Sequence, residues 1–285
     1  MKQAITMAIG ALAVTALALP ASAADLPPVT KAPALTPAPV YNWSGFYIGV
    51  GVGGRWTDTT WDTLCLEPIS LGTGGCPHDV FAGTTRIRNA NPASFDLSGI
   101  RGSVYAGYNW QFASWVFGIE GDWGWADNSK TISGIPGTWS ATFGPGGDVA
   151  RVRDNWDASA RARIGYLVTP TTLVYATGGG SWLEKEITAT CNGTFPFGWC
   201  GVPNAQKLTK NYTGWTAGGG IDWMFAPAWV FRAEYRYADY GSSTFQFFNP
   251  ATGDDFTFTV SQKTHTAYAG LSYLFNWAAP WTDRY

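Results

Sequence analysis

Charged residues are scarce in this sequence. They make up 13% of it, about half of the ~25% usual in soluble domains. That is too few to coat an ordinary water-facing surface. The 18 basic and 20 acidic residues nearly balance, and nothing in this charge suggests a nucleic-acid partner. Beyond the first 25 residues no window offers the roughly 18 uninterrupted apolar residues of a helical membrane span. Insertion into a bilayer is therefore possible only by strands. Histidine occurs twice, at His78 and His265, and cysteine four times, which leaves little material for a metal centre. What the chain has in abundance is glycine, 35 residues, and aromatics, 16%, with tryptophan alone occurring 16 times.

The start, "MKQAITMAIGALAVTALALPASAAD", has a basic Lys2, an apolar stretch from Ala8 to Leu19 and the small-residue site Ala21-Ser22-Ala23. This pattern predicts a signal peptide over 1–23 and export of the remainder. A membrane anchor is the alternative, but the apolar run is nearer the length of a signal core. Residues 24–40 follow as a Pro-rich periplasmic tether, with Pro27, Pro28, Pro33, Pro37 and Pro39 opposing both helix and ladder pairing.

From Trp43 the chain alternates. In "WSGFYIGVGVGGRW", Phe46, Ile48, Val50 and Val52 share one parity, whereas the other is mostly glycine and ends in Arg55. Seven further segments repeat the theme, through Ile100 to Phe112, Trp115 to Trp125, Trp156 to Val168, Val174 to Trp182, Trp215 to Phe225, Trp229 to Tyr237 and Ala267 to Phe275. Tight turns are expected near Ala113, at Thr169 to Thr171 and at Ala226 to Ala228. Long connections are expected at Thr57 to Asp96, Asp127 to Asn155, Glu184 to Tyr212 and Asp239 to Thr257. Eight amphipathic strands joined alternately by short and long connections predict an all-β fold: an eight-stranded antiparallel transmembrane up-and-down β-barrel over 41–277, with a C-terminal tail at 278–285. In such a barrel the apolar parity faces hydrocarbon and the glycines and charges face a narrow lumen. Closure leaves no unpaired edge in lipid.

Tryptophans collect at water interfaces, and one assumption about strand direction sorts them into two girdles. Trp43, Trp110, Trp115, Trp223, Trp229 and Trp277 fall at the periplasmic rim, and Trp56, Trp123, Trp125, Trp156, Trp182 and Trp215 at the outer rim.

The inward positions include Arg101, Glu120, Asp122, Arg161, Arg163, Asp222, Arg232, Glu234 and Arg236. Desolvated charges in a narrow lumen must pair, so the expectation is an ion-pair network that plugs the barrel; a charge-lined path for small solutes is the other reading. The cysteines Cys65, Cys76, Cys191 and Cys200 sit in two of the long connections. Export crosses an oxidising compartment, so disulfides are expected, with pairing inside each connection the simplest of three connectivities. The spacing of Cys76, His78 and the other pair matches no zinc pattern; no metal and no cofactor is expected.

Some outer-membrane barrels modify lipids with a Ser and His pair, so an enzyme must be weighed. His265 shares the parity of Ala267 and Leu271 and points outward near the outer rim, but "KTHTAY" supplies no acidic orienter and no serine hydrolase motif accompanies it. The expectation is a rim histidine and no enzyme. "GGRW" at Gly53 to Trp56 matches a lipocalin signature too short to weigh against the girdles. Trp61, Phe81, Trp139, Phe195, Phe197, Trp199, Phe247 and Phe248 in the long connections either bind an external surface or pack the loops.

Four stretches, "YNWSGFYIGVGVG", "YATGGGSW", "GGGIDWMFAPAWVFRAEYRYADYG" and "HTAYAGLSYLF", resemble the small outer-membrane immunogenic proteins of alpha-proteobacteria, a family similar to the transmembrane barrel of OmpA. The resemblance runs from about Tyr41 to Phe275. It implies a bacterial outer-membrane location, outer-membrane lipid and the membrane assembly machinery as partners, and a role as surface antigen and envelope component, sometimes labelled porin. The family closes on a terminal aromatic, which here is either Phe275 or Tyr285. The expected function is structural and surface-exposed, with a small-solute channel or a loop-borne adhesin or receptor as alternatives.

Overall fold

The computed structural model describes residues 41–67, 92–137, 147–192, 203–247 and 255–275. The signal peptide, the tether, the tail with Trp277, and Phe81, Trp139, Phe195, Phe197, Trp199 and Phe248 lie outside these. Eight antiparallel strands form one ring: β1 (Gly45–Glu67), β2 (Ala93–Phe112), β3 (Trp115–Ser133), β4 (Val149–Thr169), β5 (Thr172–Cys191), β6 (Asn204–Ala226), β7 (Trp229–Phe247) and β8 (Asp255–Phe275). Pairing of β1 with β8, from Phe46 opposite Phe275 upward, closes the barrel.

One end carries two-residue turns. Ala113 and Ala228 hold left-handed backbone there, with φ of 53° and 67°, the twist a tight hairpin needs. The turns are stitched to their neighbours: Leu167 N donates to Ser114 O, Met224 N to Thr171 O and Leu274 N to Ala228 O, each at 2.8 Å.

The other end differs from the expectation. The strands run 19 to 23 residues, about twice the 9–11 that a bilayer requires. Much of each expected long connection is therefore strand: β1 continues to Glu67, β5 to Cys191, and β6 begins at Asn204. The extensions do not stay a cylinder. The β2–β3 ladder stops at Arg101–Ala126 and the β6–β7 ladder at Trp215–Asp239. Meanwhile β1–β2 runs on to Trp61–Ala93, β3–β4 to Ser133–Val149, β5–β6 to Cys191–Asn204 and β7–β8 to Phe247–Phe256. Two seams thus part the wall into two four-stranded sheets, β7-β8-β1-β2 and β3-β4-β5-β6. Irregularities sit beside both seams, between Trp125 and Asn128 and between Asp239 and Ser242, where bulges bend a strand.

The chemistry of the two parities inverts along each strand while the alternation continues. Near the turns, Val50, Val52, Ile119 and Leu271 face outward and the arginines inward. Past the Trp56 level, Trp61, Phe95, Leu97, Val152, Ile187, Phe247, Phe258 and Val260 face inward and form a buried apolar cluster between the two sheets. Trp61 stacks on Phe258 at 4.3 Å between ring centroids. Hydrocarbon outside one half and water outside the other account for the inversion: each half buries from water what its surroundings do not accommodate.

Candidate functional site

The barrel interior is layered. At the turn end, Tyr47, Val116, Leu173, Met224, Val230 and Leu274 pack with Trp43. Trp43 is only 1% exposed; its indole Nε1 donates to Pro170 O at 3.1 Å and its backbone N to Gln111 Oε1 at 2.8 Å. This corrects its assignment to the rim girdle. Trp43 shares the inward parity of Gly45 and Tyr47, not the outward parity of Phe46 and Ile48, so its ring turns into the barrel mouth.

Above this plug lies the charged layer. Arg101, Glu120, Asp122, Arg161, Arg163, Asp222, Arg232, Glu234 and Arg236 are all buried inside and are brought into one network. Arg161 bridges Glu120 and Glu234, each at 2.5 Å. Arg232 joins Glu120 at 2.5 Å to Asp222 at 2.9 Å, and Arg163 meets Asp222 at 2.7 Å. Arg236 and Arg101 hold Asp122 at 2.7 and 2.6 Å, and Ser159 also donates to Asp122. Tyrosines complete the shell: Tyr47 donates to Glu120 at 2.7 Å and Tyr175 to Glu234 at 2.6 Å, while the Arg163 guanidinium lies 3.9 Å from the Tyr175 ring centroid. Every carboxylate thus faces at least two cations, the arrangement that offsets desolvation.

Four more charges belong to the network. Asp157 takes Arg101 at 2.6 Å and Arg55 at 2.7 Å; Asp154 takes Arg55 at 3.3 Å and Lys185 at 3.2 Å. Parity could have found Asp157, which alternates with Ala158 and Ala160, and Arg55, the inward end of the opening stretch. Lys185 and Asp154 sit where loops were expected. Lys185 stands beyond the Trp182 level, fully buried; burial pushes its ammonium below the ordinary value, and Asp154 pulls it back up. With these four, the network holds seven cations and six anions. The apolar cluster around Trp61 caps them. The arrangement offers paired charges and hydrogen bonds, and among the described residues no cluster of His, Cys, Asp or Glu is placed to hold a metal.

On the outer face, Trp110, Trp115, Trp223 and Trp229 are exposed toward the turn end, and Trp56, Trp123, Trp125, Trp182 and Trp215 near the middle of the chain's strands; Trp156 is half-buried opposite Trp125. His265 also lies on this face. Its Nδ1 shares a 2.7 Å hydrogen bond with Tyr235 Oη, and its Nε2 is 4.0 Å from Asp58 Oδ2. The acidic neighbour absent from "KTHTAY" is thus supplied by β1. Cys191 is buried and disulfide-bonded; the side chains of Cys65, Cys76 and Cys200 are outside those described. Of the loop aromatics, Trp61 and Phe247 are core residues.

Comparison with known proteins agrees with this architecture. The family model described as "Outer membrane protein beta-barrel domain" matches residues 9–275. The chain is 28% identical to the 31 kDa outer-membrane immunogenic protein of Brucella melitensis, over 96% of this chain and 100% of that one. It is 26% identical to the 25 kDa outer-membrane immunogenic protein of Brucella abortus, over 86% and 87%. A 22 kDa outer membrane protein of Rhizobium leguminosarum bv. viciae is 26% identical over 52% of this chain and 56% of that one. Among solved structures, the outer membrane protein OprG from Pseudomonas aeruginosa is 11% identical, with TM-score 0.44 over 81% of this chain and 97% of that one. Neisserial surface protein A is 13% identical, with TM-score 0.38 over 81% and 98%. The protein belongs to the outer membrane protein β-barrel domain family and resides in the bacterial outer membrane.

Proposed function

We propose that the protein is a structural barrel of the cell envelope, closed to solutes, that presents the two-sheet end as a surface antigen. The observation that carries this reading is the filled interior. A solute entering from the periplasm would meet Trp43 and Leu274, then the Arg232–Asp222–Glu120 layer, then the Trp61 cluster. Moving an ion through the middle layer would require breaking paired charges in a poorly hydrated space, at several kcal/mol per ion. The names of the Brucella relatives, immunogenic outer-membrane proteins, support the surface role, and a non-enzymatic reading fits a His265 whose near partners are Tyr235 and Asp58 rather than a serine. Insertion by the assembly machinery through Phe275 or Tyr285 belongs to the same proposal.

Planar-bilayer recording of the refolded mature protein tests it. Silence from correctly inserted protein is expected. Steady unitary conductance, with an ion preference that shifts when Arg161 and Arg163 are changed to Glu, would replace the closed barrel with a small-solute channel.

A further inference from the structure

The lipid-facing surface is not uniform. On β6, β7 and β8 it dips into a shallow, wide-open hollow of about 540 Å³. Gly219, Ala233, Ala267 and Ala269 form its floor, and Ile221 and Tyr235 rise beside it. The register makes this a continuous patch, with Gly219–Tyr235–Ala267 in one row and Ile221–Ala233–Ala269 in the next. The hollow opens sideways into the bilayer and its lining is almost wholly apolar, which suits a lipid chain.

The row above is polar and aromatic: Tyr237, His265 and Trp56 lie side by side on β7, β8 and β1. This is the outer interface, the depth at which a lipid's chain gives way to its headgroup. In the tautomer in which the Tyr235 hydroxyl donates to His265 Nδ1, the ring hydrogen is on Nε2, the nitrogen 4.0 Å from Asp58 Oδ2. The 4.0 Å between Nε2 and Asp58 Oδ2 is too long for a hydrogen bond. One oxygen about 2.8 Å from each atom fits between them. In that tautomer such an oxygen accepts from Nε2–H and donates to the carboxylate, as a sugar hydroxyl does.

We propose that this hollow and the Tyr235–His265–Asp58 row bind an outer-leaflet glycolipid, with an acyl chain over the alanines and a sugar hydroxyl between His265 and Asp58. A phosphate is the wrong headgroup here. Asp58 faces Asp96 directly across β1 and β2, and Asp239 takes the Tyr237 hydroxyl at 3.2 Å on the far side. Lys263, in register between Asp58 and Asp239, is the one lysine in that row. The flanking rings suit a sugar: the Tyr237 ring centroid is 5.2 Å from that of His265, and Trp56 stands exposed on the other side.

The test places the full mature protein in nanodiscs containing lipid A, either diphosphorylated or dephosphorylated, against a phosphatidylethanolamine background, and counts retained lipids by native mass spectrometry. Retention of both lipid A forms over phosphatidylethanolamine is expected. It should fall about tenfold in His265→Phe, which loses the hydrogen bonds, and in Ala269→Leu, which fills the hollow and keeps the surface apolar. Ala158→Leu, on β4 between Trp123 and Trp182, should leave it unchanged. Retention in either site variant equal to that of the unaltered protein, retention of the phosphorylated form alone, or equal retention of phosphatidylethanolamine would each overturn the proposal.

Discussion

Arg101 holds Asp157 with two parallel hydrogen bonds across 56 residues of chain, Nε to Oδ1 at 3.0 Å and Nη2 to Oδ2 at 2.6 Å. The same carboxylate takes Arg55 at 2.7 Å, so it is shared by two buried cations. Asp157→Ala should therefore destabilise the inserted barrel by about 3–5 kcal/mol, the cost of leaving buried charge without its partner. Replacing Arg101 with Met and Asp157 with Leu together should cost less than the single change. Urea unfolding from lipid vesicles reads both. A single-variant effect below about 1 kcal/mol would mean that water already reaches the pair.

Trp43 serves the barrel as a plug rather than as an interfacial anchor. Trp43→Ala removes a buried ring from the turn-end cluster and should cost about 3–5 kcal/mol. Trp110→Ala, on the exposed surface, should cost clearly less. The variant should also stay electrically silent, because the Arg232–Asp222 layer above the plug is intact. Conductance appearing in Trp43→Ala would show that the plug alone had closed the lumen.

The lipid face can be mapped by charge. Ala160 lies between Gly121 and Gly180 on the outward parity of β4, and Ala160→Arg should cost about 2–4 kcal/mol of folding stability in vesicles. Thr209→Arg, exposed on the extension of β6, should cost nearly nothing. Similar values at the two positions would contradict a hydrocarbon boundary between them.

Eight strands, their order, the three tight turns and the outward parity were legible because alternation against hydrocarbon is regular: Phe46 to Val52 and Ala158 to Val168 read directly. The strand extensions were not. Around "TDTTWDTLC" the outward residues are Asp58, Thr60 and Asp62 and the inward ones Thr57, Thr59 and Trp61, so a search for outward apolar residues stops at Trp56. Lys185 and Asp154 were lost for the same reason, as was the core role of Trp61 and Phe247. The Asp58–His265 approach was invisible for a different reason. It depends on the register of β1 against β8, which alternation within one strand does not encode.

Tyr212 ties the extension's stability to alkaline pH. It stands three residues beyond Trp215 on β6, packed with Leu183, Ala238 and Tyr240 and almost wholly buried. Burial first, and then the Asp154 carboxylate, raise its hydroxyl above the ordinary 10.0. Below pH 10 both folded and unfolded chains keep this proton, and pH has no effect through it. Above pH 10 the unfolded chain releases the proton while the folded one retains it, so stability falls with rising pH, by up to about 1.4 kcal/mol per unit. Among the described residues the hydroxyl has no hydrogen-bond partner, so Tyr212→Phe should be neutral or mildly stabilising at pH 8. Unfolding curves of the two proteins between pH 8 and 11 should diverge above pH 10, with the variant the more stable. Curves that stay parallel would mean that Tyr212 ionises as freely in the folded barrel as in the open chain, and that water reaches the layer where Lys185 and Asp154 meet.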